Sequence, residues 1–188
     1  MKTIKENIIN EIEINKSIFI TEIIKVKNTS EIKEKLQEIK DKYKDATHYC
    51  YAYIVDNNKK SSDDGEPGGT AGVPIMDTLN KMELNYVLCV VIRYFGGIKL
   101  GAGGLVRAYR KSVIDALKGK ELNELVNGYQ LKIKTSYDKQ KEIEYILKDH
   151  YQKKYEEDVI YNIECTKEIK EKLNNYNIIE EKEKIIEI

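Results

Sequence analysis

Apolar and polar residues alternate between Ile8 and Val26, with Ile12 and Ile14 answered by Ile18 and Ile20 across Asn15-Lys16. A period of two predicts two strands joined by a tight turn. The period then changes: after a candidate cap at Ser30, Ile32, Leu36, Ile39 and Tyr43 fall at helical spacing on a polar background, which predicts an amphipathic helix. His48 to Val55, rich in Tyr, Ile and Val, predicts a strand that stops at Asp56-Asn57-Asn58. Thr70 to Met82 has the pattern of a helix. Tyr86 to Arg93 is an unbroken apolar run of strand length, as expected for a strand covered on both faces. From Gly103 to Lys118, Leu105, Val106, Tyr109, Val113 and Leu117 mark one side of a helix stopped by Gly119.

Beyond a short polar stretch to Gly128 the pattern restarts. Tyr129 to Thr135 alternates as a strand, Gln140 to Leu147 is helical, Tyr151 to Tyr155 is an edge strand and Val159 to Cys165 is another strand. Glu168 to Leu173 is again helical, and Lys184 to Ile188 closes the series as a strand. This βαββαβ order is that of the ferredoxin-like split unit. The expected organisation is α+β, with one domain over 1–127 and a second over 128–188, and a chain of 188 residues is long enough for both.

Composition narrows the function classes. Lys plus Arg and Asp plus Glu are equal at 32 each, so no net field draws the whole molecule to nucleic acid or to an anionic membrane, and any such binding must come from a local patch. Cys50, Cys89 and Cys165 are odd in number, widely spaced and set among apolar or β-forming neighbours, which points to buried thiols in a reducing compartment. With no CxxC and no pairing of a cysteine with His48 or His150, there is no case for structural zinc, and no metal or other cofactor is expected. The first residues carry charge every few positions, unlike a signal peptide, and no apolar stretch reaches the ~18 residues of a membrane span. A cytoplasmic protein without a membrane partner is the expectation.

Nine of the eleven glycines and both prolines lie between Gly65 and Gly104, which marks a long functional loop system. Its first part, Ser61 to Gly72, is a dense turn bearing Asp63, Asp64 and Glu66. Crowded carboxylates bind hard cations or share acid-base work. They also cap helices and form ion pairs, and the helix expected near Thr70 favours capping. A calcium loop starting at Asp56 fails, since Ser61 stands where Gly is needed and Pro67 where Glu is needed. The second part, Arg93-Tyr-Phe-Gly-Gly-Ile-Lys-Leu-Gly-Ala-Gly-Gly, leaves a buried strand and opens a helix. Backbone amides unshielded by side chains at Gly101, Gly103 and Gly104 suit an anion. Walker A and dinucleotide fingerprints both fail here: Gly-Lys-Ser/Thr is absent, and Val106 occupies the third glycine position.

From Arg93 to Lys120 there are seven basic residues and one acidic residue, a balance of +6. Arg107, Arg110, Lys111 and Lys118 share a helix face, Arg93 and Lys99 precede them, and Tyr94, Phe95 and Tyr109 are candidate stacking platforms. Cations beside aromatics suit single-stranded or irregular RNA. A solvated basic face over core aromatics is the plain alternative. His48, at a strand entrance, is a candidate base or a core histidine.

The stretches His48-Tyr-Cys-Tyr-Ala, Ser62-Asp-Asp-Gly-Glu-Pro-Gly-Gly-Thr-Ala-Gly and Val90-Val-Ile-Arg-Tyr-Phe-Gly-Gly-Ile-Lys-Leu-Gly-Ala-Gly-Gly-Leu-Val-Arg-Ala-Tyr closely resemble the IMPACT family, in particular its bacterial YigZ-type members. The resemblance covers essentially the whole chain. It implies that the first domain has the fold of the second domain of ribosomal protein S5, and that the pair is similar to two consecutive domains of the translocating elongation factor. Eukaryotic relatives regulate translation through an additional N-terminal domain; this chain is expected to begin at its first strand without it, so that activity is not carried over. The resemblance implies RNA or the ribosome as partner and no established catalytic residues. Two further readings stand beside it: an enzyme in which Asp63, Asp64, Glu66 and His48 meet the glycine loop around a phosphorylated ligand or nucleotide, with Mg²⁺, and a protein partner on the sheet of the second domain.

Overall fold

The computed structural model describes residues 1–148 and 151–188, so His150 lies outside the described residues. The chain divides into two compact units, Met1–Asn123 and Glu124–Ile188. The division falls a few residues before Asn127, within a strand that already begins at Leu122.

The first unit contains β1 (Lys2–Ile4), β2 (Ile8–Ile14), β3 (Ser17–Lys25), α1 (Glu31–Lys42), β4 (His48–Val55), β5 (Asn58–Ser62), α2 (Gly72–Lys81), β6 (Val87–Tyr94) and α3 (Gly101–Leu117). Its antiparallel sheet has the order β2-β3-β6-β4-β5. Asn15 and Lys16 both take positive φ, at 47° and 64°, as a two-residue hairpin turn between right-twisted strands requires. Side chains of β6 divide by parity. Val87, Cys89 and Val91 enter the core beneath α2 and α3 with Phe19, Ile75, Tyr109 and Val113, while Leu88, Val90 and Ile92 meet Ile32 and Ile39 of α1 on the other face. Helices on both faces explain the unbroken apolar run. β4 divides likewise: Cys50, Ala52 and Ile54 point toward α2 and α3, and Tyr49, Tyr51 and Tyr53 lie on the α1 side.

Ser30, expected to cap α1, makes no side-chain cap. Asn28 accepts the amide of Ser30, and Glu31 accepts that of Lys27 and the side chain of Asn28. Carboxamide and carboxylate together fasten the entry to the helix.

The second unit contains the remainder of β7 (Leu122–Thr135), a 3₁₀ turn at Tyr137–Lys139, α4 (Gln140–Leu147), β8 (Tyr151–Tyr155), β9 (Val159–Thr166), α5 (Lys167–Leu173) and β10 (Asn177–Glu187). Its strands run in the order β10-β7-β9-β8, the arrangement of a ferredoxin-like βαββαβ unit. Leu131, Ile133, Ile143, Leu147, Tyr161, Ile163 and Leu173 form its core. The fold is α+β.

Candidate functional site

The acidic turn is held by its own carboxylates. Asp63 Oδ1 accepts the amides of Ala71 and Gly72 at 2.9 and 2.8 Å, and Oδ2 accepts that of Gly69 at 2.8 Å. Asp63 thus supplies from eight residues upstream the cap that Ala71 cannot give α2. Burial raises its carboxyl pKa, but the three amide bonds from Gly69, Gly72 and Ala71 outweigh burial and leave it below the ordinary value. Asp64 Oδ2 accepts the amide of Tyr49 at 2.7 Å. Its carbonyl oxygen lies 2.9 Å from His48 Nδ1; since a carbonyl only accepts, Nδ1 carries the hydrogen.

Glu66 is at the centre of a buried network. Its Oε1 accepts from Arg93 Nη1 at 2.6 Å and from Tyr109 Oη at 2.8 Å, and its Oε2 lies 3.8 Å from His48 Nε2. Arg93 is only 5% exposed. Its Nη2 donates to Ser17 Oγ at 3.3 Å, and its guanidinium lies 5.4 Å from the ring centre of Phe19 and 5.5 Å from that of Phe95. Cys50 Sγ donates to the carbonyl of Asp63 and to Tyr109 Oη. Burial pushes the Cys50 thiol up to about 12, the opposite of an activated nucleophile. All three cysteines are free and buried. Among the described residues no three His, Cys, Asp or Glu side chains come together to hold a metal ion. A buried ion pair and its hydrogen bonds tie the turn to β4, β6 and α3, as a clamp does.

This placement revises the basic face. Arg93 is spent on Glu66 inside the unit, and Tyr109 is fully buried, with an edge-to-face contact to Phe19 at 5.3 Å, so neither offers a surface. Tyr94 is half-buried and donates to the carbonyl of Lys44. Lys111 pairs with Asp115 at 2.7 Å, and Arg110 approaches Asp77 at 3.9 Å. Lys99 and Arg107 are exposed and have no ion pair among the described residues. They flank the start of α3, where Leu100 gives no side-chain cap and the first turn holds no acidic residue. Gly101, at φ +68°, and Gly103 are exposed; a side chain at Gly101 would meet nothing within 4 Å. Gly104, half-buried, packs against Leu100. Phe95, 46% exposed, stands at the other end of the loop. The loop is anchored by Gly96, whose amide donates to Ser17 Oγ and whose Cα approaches the β2–β3 turn so closely that a Cβ would sit 1.9 Å from the Lys16 carbonyl oxygen.

Sequence reasoning passed over Ser17 and the inward direction of Arg93, and it expected Cys50 as a buried thiol without its partners Asp63 and Tyr109. For Arg93 a signal existed: it shares strand parity with Val87, Cys89 and Val91, the residues beneath α2 and α3.

The Impact N-terminal domain profile matches residues 15–117. The chain is 51% identical over 118 residues to the IMPACT family member YvyE of Bacillus subtilis, covering 61% of this chain and 54% of that protein. It is 40% identical over 111 residues to the IMPACT family member YigZ of Escherichia coli, covering 56% and 54%. The matches thus span about half the length of these relatives. The crystal structure of a hypothetical protein superposes with a TM-score of 0.67 at 28% identity, covering 93% of this chain and 91% of that one.

Proposed function

This chain belongs to the IMPACT family, and we propose that it acts by binding RNA of the translation machinery through the glycine loop and the first turns of α3, without catalysis. The supporting observation is the open start of α3: a glycine-lined helix N-terminus without a side-chain cap, flanked by Lys99 and Arg107, which have no ion pair among the described residues. Its amides and dipole favour a phosphate, the absence of side chains admits a backbone, and Phe95 offers a stacking face one loop away. The resemblance of its motifs to the IMPACT family, which implies a likeness to elongation-factor domains, supports the link to translation.

The test is anisotropy titration with a single-stranded RNA at several salt concentrations. Reversing charge in the pair Lys99→Glu, Arg107→Glu should weaken binding and lower the log-log salt slope by about 0.7 for each phosphate no longer neutralised. Absence of binding at low salt, or a variant that binds as the wild type does, would refute the reading.

A further inference from the structure

On the opposite face of the same sheet, between α1 and the β4–β5 hairpin, runs a groove of about 420 Å³, within the size range of ordinary ligand sites. Lys33 and Lys40 approach it from α1 and Lys60 from β5, with Gln37 between the two helix lysines and Tyr51 and Tyr53 of β4 on the floor. No carboxylate lines it, in a chain where acids equal bases.

The lysines are placed rather than scattered. Lys33, Gln37 and Lys40 recur at offsets of four and three, hence on one helix face. Lys60 sits directly opposite Tyr53 in the β4–β5 register, so both are on the same face of the sheet. All three lysines are exposed, and none has an ion pair among the described residues. Of the acids on α1, Glu38 pairs with Lys35 at 2.9 Å, and Asp41 accepts from Gln37 at 2.9 Å, which leaves one carboxylate at the edge of the groove but outside its lining. Lys40 instead leans over the ring of Tyr49, 5.4 Å from its centre. The second unit's open sheet face differs, since Lys132, Lys134 and Lys184 there pair with Glu180, Asp158 and Glu164.

Cations without an ion pair among the described residues, above half-buried aromatic rings and with no carboxylate in the described lining, match a ligand that alternates phosphate and flat base. We infer that this groove is a second nucleic-acid site, taking a short single-stranded segment whose phosphates meet Lys33, Lys40 and Lys60 while its bases stack on Tyr51 and Tyr53. It is separate from the glycine loop, and neither site depends on the other.

The experiment uses the full chain and a uridylate oligonucleotide of about a dozen nucleotides, enough to fill a single-strand site. The triple variant Lys33→Gln, Lys40→Gln, Lys60→Gln should bind it at least about tenfold more weakly at low salt, with the salt slope reduced by about 2. Photo-crosslinking of the wild type with 4-thiouridine in the probe should label peptides holding Tyr51 and Tyr53. An unchanged melting temperature checks that the exposed lysines were not needed for folding. Equal affinity and slope for the triple variant overturns the proposal, as does labelling confined to the Phe95 loop. Uridine monophosphate or an oligoglutamate peptide of matched charge binding as tightly as the oligonucleotide overturns it too, since either means that the groove does not read a strand. Because Lys99→Glu, Arg107→Glu is measured beside the triple variant, weakened binding in one and not the other tells which of the two sites fails.

Discussion

The two glycine-rich segments of the first unit use the same residue types for opposite ends. In the turn from Ser61 to Gly72 every carboxylate has donors: Asp63 takes three amides, Asp64 one amide, and Glu66 a guanidinium and a phenol. In the loop from Phe95 to Gly104, Lys99 has no ion pair among the described residues, the helix start has no cap and Phe95 is exposed. The turn spends its polar groups on internal partners, whereas the loop leaves its own exposed. Charge in a glycine-rich segment therefore indicates a binding surface only after the internal partners have been counted.

The contrast can be broken most strongly at Glu66. Replacement by Ala leaves Arg93 charged and buried without its carboxylate, which should cost about 3–5 kcal/mol in urea unfolding of the full chain. A loss below about 1 kcal/mol would show that the clamp is not the structural centre of the turn. Next in size is Gly96→Ala, where the new Cβ collides with backbone of the β2–β3 turn; the strain should cost about 1–3 kcal/mol, and it should weaken RNA binding as well because the loop is displaced.

Asp63→Ala should cost about 1 kcal/mol, the value of a helix cap. Its sign with pH follows from a folded pKa below the unfolded one. The contribution is complete above the ordinary carboxylate value of ~3.9 and disappears as pH falls from there through the lower folded value. The stability gap between wild type and variant should therefore close on acidification below about pH 4, and a gap that persists there would place the effect elsewhere. Smallest in stability and largest in binding is the pair Lys99→Glu, Arg107→Glu. Both side chains are exposed, so unfolding should change by less than about 0.5 kcal/mol while RNA affinity falls.

Periodicity carried most of the architecture. The alternating isoleucines of β2 and β3, the apolar run of β6 and the stripe of α3 report elements whose buried faces are built from their own residues. Elements without that signature were missed or shortened. β5, Asn-Lys-Lys-Ser-Ser, is polar throughout and exists because β4 offers it a ladder of backbone hydrogen bonds. β10 runs for eleven residues from Asn177, although only its last apolar residues look like a strand, because β7 pairs along it. Edge strands such as these are set by their neighbours.

The candidate site divides in the same way. Sequence by itself determined that the glycine loop opens a helix and that Lys99 and Arg107 accompany it, because both facts are local. Only the tertiary structure decided that Arg93 turns inward to Glu66, 27 residues away, and that Tyr109 completes that network, 43 residues from the same carboxylate. Local patterns fix backbone preferences over a few residues, whereas a buried charge is tolerated only where the folded chain brings it a partner. That partner's identity depends on the path of the whole sheet.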